Sequence, residues 1–203
     1  MSNVPLRPCP HRGRAQPFHM RFERALRKDI QMTTTINQLN SVDIATVGEL
    51  VSAIRDEPTN ASTVWKSTVD WKGGFRSEAR SRDFAPIPSD EPSGLGGEDT
   101  ATNPVEQLLG ALGNCLAVGY AANATAAGIE LKSLRIELEG DLDLHTFLGL
   151  SDGHAGFETI EAIVSIDANA TEAQIQDLHD KVVSTSPVGH TLQASIPVSV
   201  QLA

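Results

Sequence analysis

The spacing of apolar residues changes several times along this 203-residue chain, and each change marks an element. Ile44, Val47, Leu50, Val51 and Ile54 recur at helical intervals, which predicts an amphipathic helix from Asp43 to Arg55, ended by Pro58. Trp65, Ser67, Val69 and Trp71 fall on one side of an alternating run, which predicts a strand from Ser62 to Trp71. Lys72-Gly73-Gly74 turns it, and Phe75 to Phe84 returns as a second strand. Pro86, Pro88, Pro92, Gly94, Gly96 and Gly97 then read as a long loop.

Beyond that loop the pattern becomes apolar almost without interruption. Pro104 suits a first helical turn, and between Leu108 and Ala122 only Asn114 and the hydroxyl of Tyr120 are clearly polar. A helix over 105–127 with this composition is expected to lie inside a protein. It is short for a bilayer and carries Asn114 near its centre, which argues against a membrane span. Gly110, Gly113 and Gly119 each cost helix propensity of roughly 1 kcal/mol against alanine, so another backbone is expected to pack very close. After Gly128 strands return. Leu134, Ile136 and Leu138 alternate with charged residues on to about Leu144, and Ile160, Ala162, Val164 and Ile166 alternate between Thr159 and Asp167. Phe147 to Gly156 joins them as a Gly-rich loop. Thr171 with Gln174 forms a capping box for a helix to about Val183, Ser186-Pro187 caps a short final helix, and Ile196, Val198, Val200 and Leu202 predict a closing strand. The order of elements specifies an α+β protein.

Composition narrows the class. Two cysteines, Cys9 and Cys115, are too few for a disulfide framework, which fits a reducing, cytoplasmic setting. The N-terminus lacks the apolar core of a secretory signal, so the Asn-x-Ser/Thr triplets at Asn60, Asn123 and Asn169 read as coincidental. The net charge is -10, although residues 1–31 carry six arginines and Lys28 against only Glu23 and Asp29. The acidic excess therefore sits in the rest of the chain, which argues against nucleic acid as a partner. The basic head lacks a sustained period and precedes a plausible start at Met32, so residues 1–31 are expected to be a disordered or mis-called extension. Residues 32–60 then hold the amphipathic helix and a linker, and 61–203 the main domain.

Few residues offer chemistry. Cys115 is read either as a small buried hydrophobe or as a reactive thiol, and the thiolate is the form that attacks. A cation beside it would favour that form, and Arg76, Glu78, Arg80 and Arg82 project on one face of the returning strand. Those arginines are equally consistent with a solvated strand face. Ser186 reads most simply as a helix N-cap. A Ser186/His190 nucleophile pair lacks an orienting acid. The six histidines, His11, His19, His145, His154, His179 and His190, show no metal-ligand spacing, so no metal and no cofactor are expected. Gly94-Leu95-Gly96-Gly97 is flanked by Glu91, Glu98 and Asp99 and does not form a phosphate cradle.

The run Thr102-Asn103-Pro104-Val105-Glu106-Gln107-Leu108-Leu109, with Cys115 twelve positions after Asn103, resembles the cysteine-bearing helix of the OsmC/Ohr superfamily. Trp71-Lys72-Gly73-Gly74-Phe75-Arg76 is similar to that family's N-terminal hairpin. Ser184-Thr185-Ser186-Pro187-Val188-Gly189-His190-Thr191-Leu192 is similar to its late segment, and the match covers about residues 60–203. Glu106 stands in the register of the general OsmC-like branch; the hydroperoxide-resistance branch has its acidic residue one position earlier, where this chain has Val105. The resemblance implies an intertwined homodimer with sites at the subunit interface. It further implies thiol-dependent reduction of organic hydroperoxides by Cys115, with Arg76 as the activating arginine and Glu106 as the carboxylate that holds it. In two-cysteine relatives a second thiol resolves the oxidised cysteine, but Ser186 occupies that position here. Regeneration then requires an external thiol reductant, since Cys9 lies far away in the Pro-rich head. The rival expectation is a non-enzymatic dimer that binds a small hydrophobic ligand.

Overall fold

The computed structural model describes residues 38–194 and 196–202. The expectations for the basic head, for Met32, for Cys9, and for His11 and His19 lie outside these residues. Helix α1 spans Ile44–Asp56, with the Asp43 carboxylate accepting from Thr46 N–H as its cap. Strands β1 (Thr68–Gly73), β2 (Arg76–Arg80) and β3 (Ile87–Ser89) form a small antiparallel sheet in that order. Helix α2 runs Pro104–Ala126, and β4 (Leu131–Leu142) follows it. A single turn, α3 (Leu144–Phe147), leads to β5 (Phe157–Ala168), which pairs antiparallel with β4 as a long two-stranded ribbon. Helices α4 (Glu172–Val183) and α5 (Pro187–Gln193) complete the chain of elements.

The core lies where α2 and α4 pack on one face of the ribbon. Leu116, Tyr120 and Ala124 of α2 meet Leu178 and Val182 of α4 and Ile129. Leu134, Ile136, Val164 and Ile166 close the core from the ribbon, and the strand register puts Leu134 opposite Ile166 and Ile136 opposite Val164. Those four alternate with Arg135, Glu137, Ser165 and Ile163, so the period-two pattern assigns one face to the core and the other outward. The chain enters this core through Asn40, whose side-chain amide donates to Thr125 Oγ1 and Ile129 O. Its amide oxygen accepts from Leu131 N–H. Asn40 adopts φ +53, a left-handed conformation that asparagine tolerates better than most residues.

Several expectations need correction. The strand expected from Ser62 begins only at Thr68, and its return stops at Arg80, not Phe84. Arg82 has φ +54, which ends the ladder, and its guanidinium lies 4.5 Å over the Phe84 ring. The long Pro-rich loop contains β3, an edge strand in which Pro88 sacrifices no ladder bond that a central strand would need. The run Ile196–Leu202 forms no strand, because a strand needs a ladder and no described segment pairs with it. Within the described chain the helix glycines meet side chains or open space rather than another backbone. A Cβ at Gly113 would lie 2.8 Å from Leu138 Cδ1 and one at Gly119 2.9 Å from Val182 Cγ1, while Gly110 faces open space. Within the chain, Gly113 thus admits a side chain of β4 and Gly119 one of α4.

Helix α2 is also not covered on every side: Val118 is 70% exposed, and the apolar side of α1 stays partly open at Val47 and Val51. Val69, Trp71 and Ile87 of the small sheet are exposed as well.

Candidate functional site around Cys115

Cys115 occupies the middle of α2, half-buried, and its helix starts from a fully formed capping box. Asn103 Oδ1 accepts from Glu106 N–H while Glu106 Oε2 accepts from Asn103 N–H, both at 2.9 Å. Pro104 fills the next position, where no N–H is required. Gln107 Nε2 donates to Pro88 O and Thr102 O, tying β3 to the start of the helix.

Ser186 reaches Cys115 because α4 and α5 meet α2 side by side. Val182, near the end of α4, is almost fully buried against Gly119; Ser184 then caps the helix and the chain turns through Thr185. Ser186 caps α5, with its Oγ accepting from Gly189 N–H at 3.1 Å. That oxygen stands 3.3 Å from Cys115 Sγ, and Ser186 is 5% exposed. Gly189 permits the approach: a Cβ there would lie 3.1 Å from Ser186 Oγ and 3.9 Å from Leu112 Cδ1. The His190 ring is engaged with Ser184 O at 3.0 Å, and its only bond to Ser186 is the helical one from its backbone N–H to Ser186 O at 2.9 Å, so the structure lends no support to a nucleophile pair.

Arg76 and Glu106 stand elsewhere. Arg76 Nη1 donates to Glu98 Oε2 at 2.8 Å in an exposed ion pair, and Glu106 is committed to its capping box. No hydrogen bond or ion pair among the described residues joins either to Cys115. The other strand-face arginines are also engaged, Arg80 with Glu78 and Asp70, and Arg82 with Phe84.

Two buried polar centres escape any reading of spacing. Asp90, 1% exposed, accepts from the N–H groups of Glu91, Glu98 and Thr100 and from the Thr100 hydroxyl. The Thr100 hydroxyl, helped by those backbone donors, holds its carboxyl below the ordinary carboxylate value. Asp90 thereby organises the loop that carries Glu98, the partner of Arg76, and Glu91, whose Oε2 lies 3.5 Å from Asn103 Nδ2. Tyr120, fully buried on α2, shares a hydrogen bond of 2.5 Å with His179 Nδ1 on α4, and burial pushes its phenol up from the ordinary value. Only a polar residue at an apolar helix position signals this pair in the sequence.

An α+β fold with a small N-terminal sheet, a long cysteine helix and a ribbon laid over it defines the class. A family model for OsmC-like proteins matches residues 96–201, just over half the chain, and the protein belongs to that family. The fold is similar to that of an OsmC-like protein from Mycoplasma pneumoniae, with a TM-score of 0.57 at 22% identity over 65% of this chain and 89% of that one. A putative osmotic stress induced and detoxification response protein from Psychrobacter arcticus 273-4 gives a TM-score of 0.54 at 15% identity, covering 64% and 89%. A hypothetical protein from Aquifex aeolicus VF5 gives 0.53 at 16%, covering 65% and 89%. At these identities the likeness establishes the fold alone. No curated protein matches the chain. None of the described helices is long and apolar enough to cross a membrane.

Proposed function

We propose that the protein is a one-cysteine, thiol-dependent reductase of organic hydroperoxides that works as a homodimer in a reducing, cytoplasmic setting. The observation that carries this reading is the placement of Cys115. It sits half-buried on the family's cysteine helix, its sulfur 3.3 Å from the hydroxyl of Ser186. The Cys115 thiolate attacks the terminal oxygen of the hydroperoxide; an S–O bond forms, the O–O bond breaks, and the alkoxide leaves and takes a proton from solvent. The sulfenic acid condenses with an external thiol to give a mixed disulfide and water. A second external thiol releases the reduced enzyme as it forms the small disulfide. No thiol at position 186 competes, because that position carries a hydroxyl.

In this reading Arg76 serves as an exchangeable cation. Its exposed pair with Glu98 is worth about 0–1 kcal/mol, little enough to be given up for an anionic site. Glu106 fixes the start of the cysteine helix through the capping box. Dimerisation is supported by the uncovered apolar side of α2, the exposed sheet face at Val69 and Trp71, and the unpaired run Ile196–Leu202.

Those same apolar surfaces favour a second reading, a non-enzymatic dimer that holds a small hydrophobic ligand. Mass spectrometry after stoichiometric cumene hydroperoxide separates the two. Peroxidase activity requires one oxygen atom added at Cys115 and none in Cys115→Ser. An unmodified Cys115 under excess peroxide would leave the ligand-binding reading in its place.

A further inference from the structure

We propose that Ser186 is a positioning residue for Cys115: its hydroxyl donates to the thiolate sulfur and holds it in one orientation for attack. This rests on the peroxidase reading and deepens it by giving the residue at the resolving position a task of its own. A serine hydroxyl has one proton and two lone pairs. Gly189 N–H occupies a lone pair of Ser186 Oγ at 3.1 Å, and Cys115 Sγ at 3.3 Å is the other hydrogen-bond neighbour of that oxygen. With Ser186 at 5% exposure, little water competes for the proton.

When Cys115 is a thiol, either atom can donate. Once the sulfur has lost its proton it can only accept, so the serine proton must lie between the two atoms. The direction of the bond is thus set in the form that reacts, and a donor facing an anion makes a stronger bond than a neutral pair. The oxygen is held in place, since it also caps α5, and α5 packs against α2. Ser186 keeps its proton throughout the attack, because the leaving alkoxide is protonated by solvent. A thiol at this position traps the oxidised sulfur; the hydroxyl holds the reduced one.

The test uses the full chain carrying Cys9→Ser, so that Cys115 is the sole thiol. Ser186→Gly keeps a residue that caps helices nearly as well as serine but removes the hydroxyl, and Ser186→Thr retains it. Two rates are measured for each variant at about pH 7: oxidation by cumene hydroperoxide and alkylation by iodoacetamide, which requires a thiolate but no peroxide chemistry. Ser186→Gly should slow both roughly tenfold, the loss expected of a hydrogen bond to a charged group. Ser186→Thr should return both to within about threefold of the parent, and the melting temperature of the glycine variant should stay close to the parent's. The proposal is overturned if Ser186→Gly is alkylated at the parental rate, or if Ser186→Thr is as slow as Ser186→Gly. Hydroxyl-dependent alkylation in a protein that no hydroperoxide oxidises would retain the role of Ser186 and dismiss the peroxidase.

Discussion

Under the proposed chemistry, a single atom at position 186 would decide how oxidation of Cys115 ends. The 3.3 Å between Cys115 Sγ and Ser186 Oγ places a substituted thiol within reach of the short movement that a disulfide needs. In Ser186→Cys, hydroperoxide should therefore yield an intramolecular disulfide, seen as loss of both thiols to alkylation. The parent under excess peroxide should pass on to sulfinic acid. Failure of the variant to close that disulfide would argue against a resolving geometry at this position. Asp90 acts at the same scale in a different currency, that of charge. Its folded carboxyl lies below the ordinary 3.8, so the stability it contributes is complete above that value. It is lost as pH falls through the lowered folded value. Asp90→Asn should flatten the acid limb of a stability-against-pH curve below about pH 4 and lower stability at neutral pH, measured by denaturant unfolding. An unchanged acid limb would show that other carboxylates control acid unfolding. Neither Asp90 nor the Tyr120–His179 bond is visible in the sequence, because all their partners except Glu91 lie 8 to 59 positions away.

The elements themselves followed from short-range pattern wherever a local cap stood at the boundary. The Thr171/Gln174 capping box starts α4 where the sequence places it, and Ser186-Pro187 starts α5. Strand limits fared worse, since an alternating run becomes a strand only where a neighbour offers a ladder. Ser62–Ser67 alternates as well as Thr68–Gly73 yet pairs with nothing over most of its length. The glycines of α2 show the same division. A Cβ placed on Gly110 would find nothing within 4 Å, whereas one on Gly119 would meet Val182 at 2.9 Å. Gly110→Ala should raise stability by about 0.5–1 kcal/mol through helix propensity. Gly119→Val should lower it by about 1–3 kcal/mol through overpacking against α4. Thermal unfolding of the two variants checks both signs; a loss at Gly110 would mean that a second chain packs there after all.

At the scale of the whole molecule, the proposed dimer draws on the apolar surface that the described residues leave uncovered. Ile196, Val198, Val200 and Leu202 alternate at 55%, 78%, 91% and 103% exposure, with no ladder to them among the described residues. In the proposed homodimer, a second copy would supply a strand partner and cover them. Light scattering should accordingly give the mass of two chains, and removal of residues 196–202 should shift the mass to one chain or to aggregates. A stable, soluble monomer of the intact protein would contradict this assembly.

The sequence by itself determined what depends on neighbours within a few residues: the capped helices, the period of the β4–β5 ribbon, the α+β class and the cysteine helix that marks the family. The tertiary structure alone decided which polar groups meet. It set the Ser186 hydroxyl beside Cys115, gave Arg76 to Glu98, sealed Asp90 among the amides of its own loop, and left Ile196–Leu202 without a ladder among the described residues. The reason is physical. Caps and periodicity are local energies, repeated at every turn, whereas a contact between distant side chains exists only after the core has set the angle and depth at which helices and ribbon lie together.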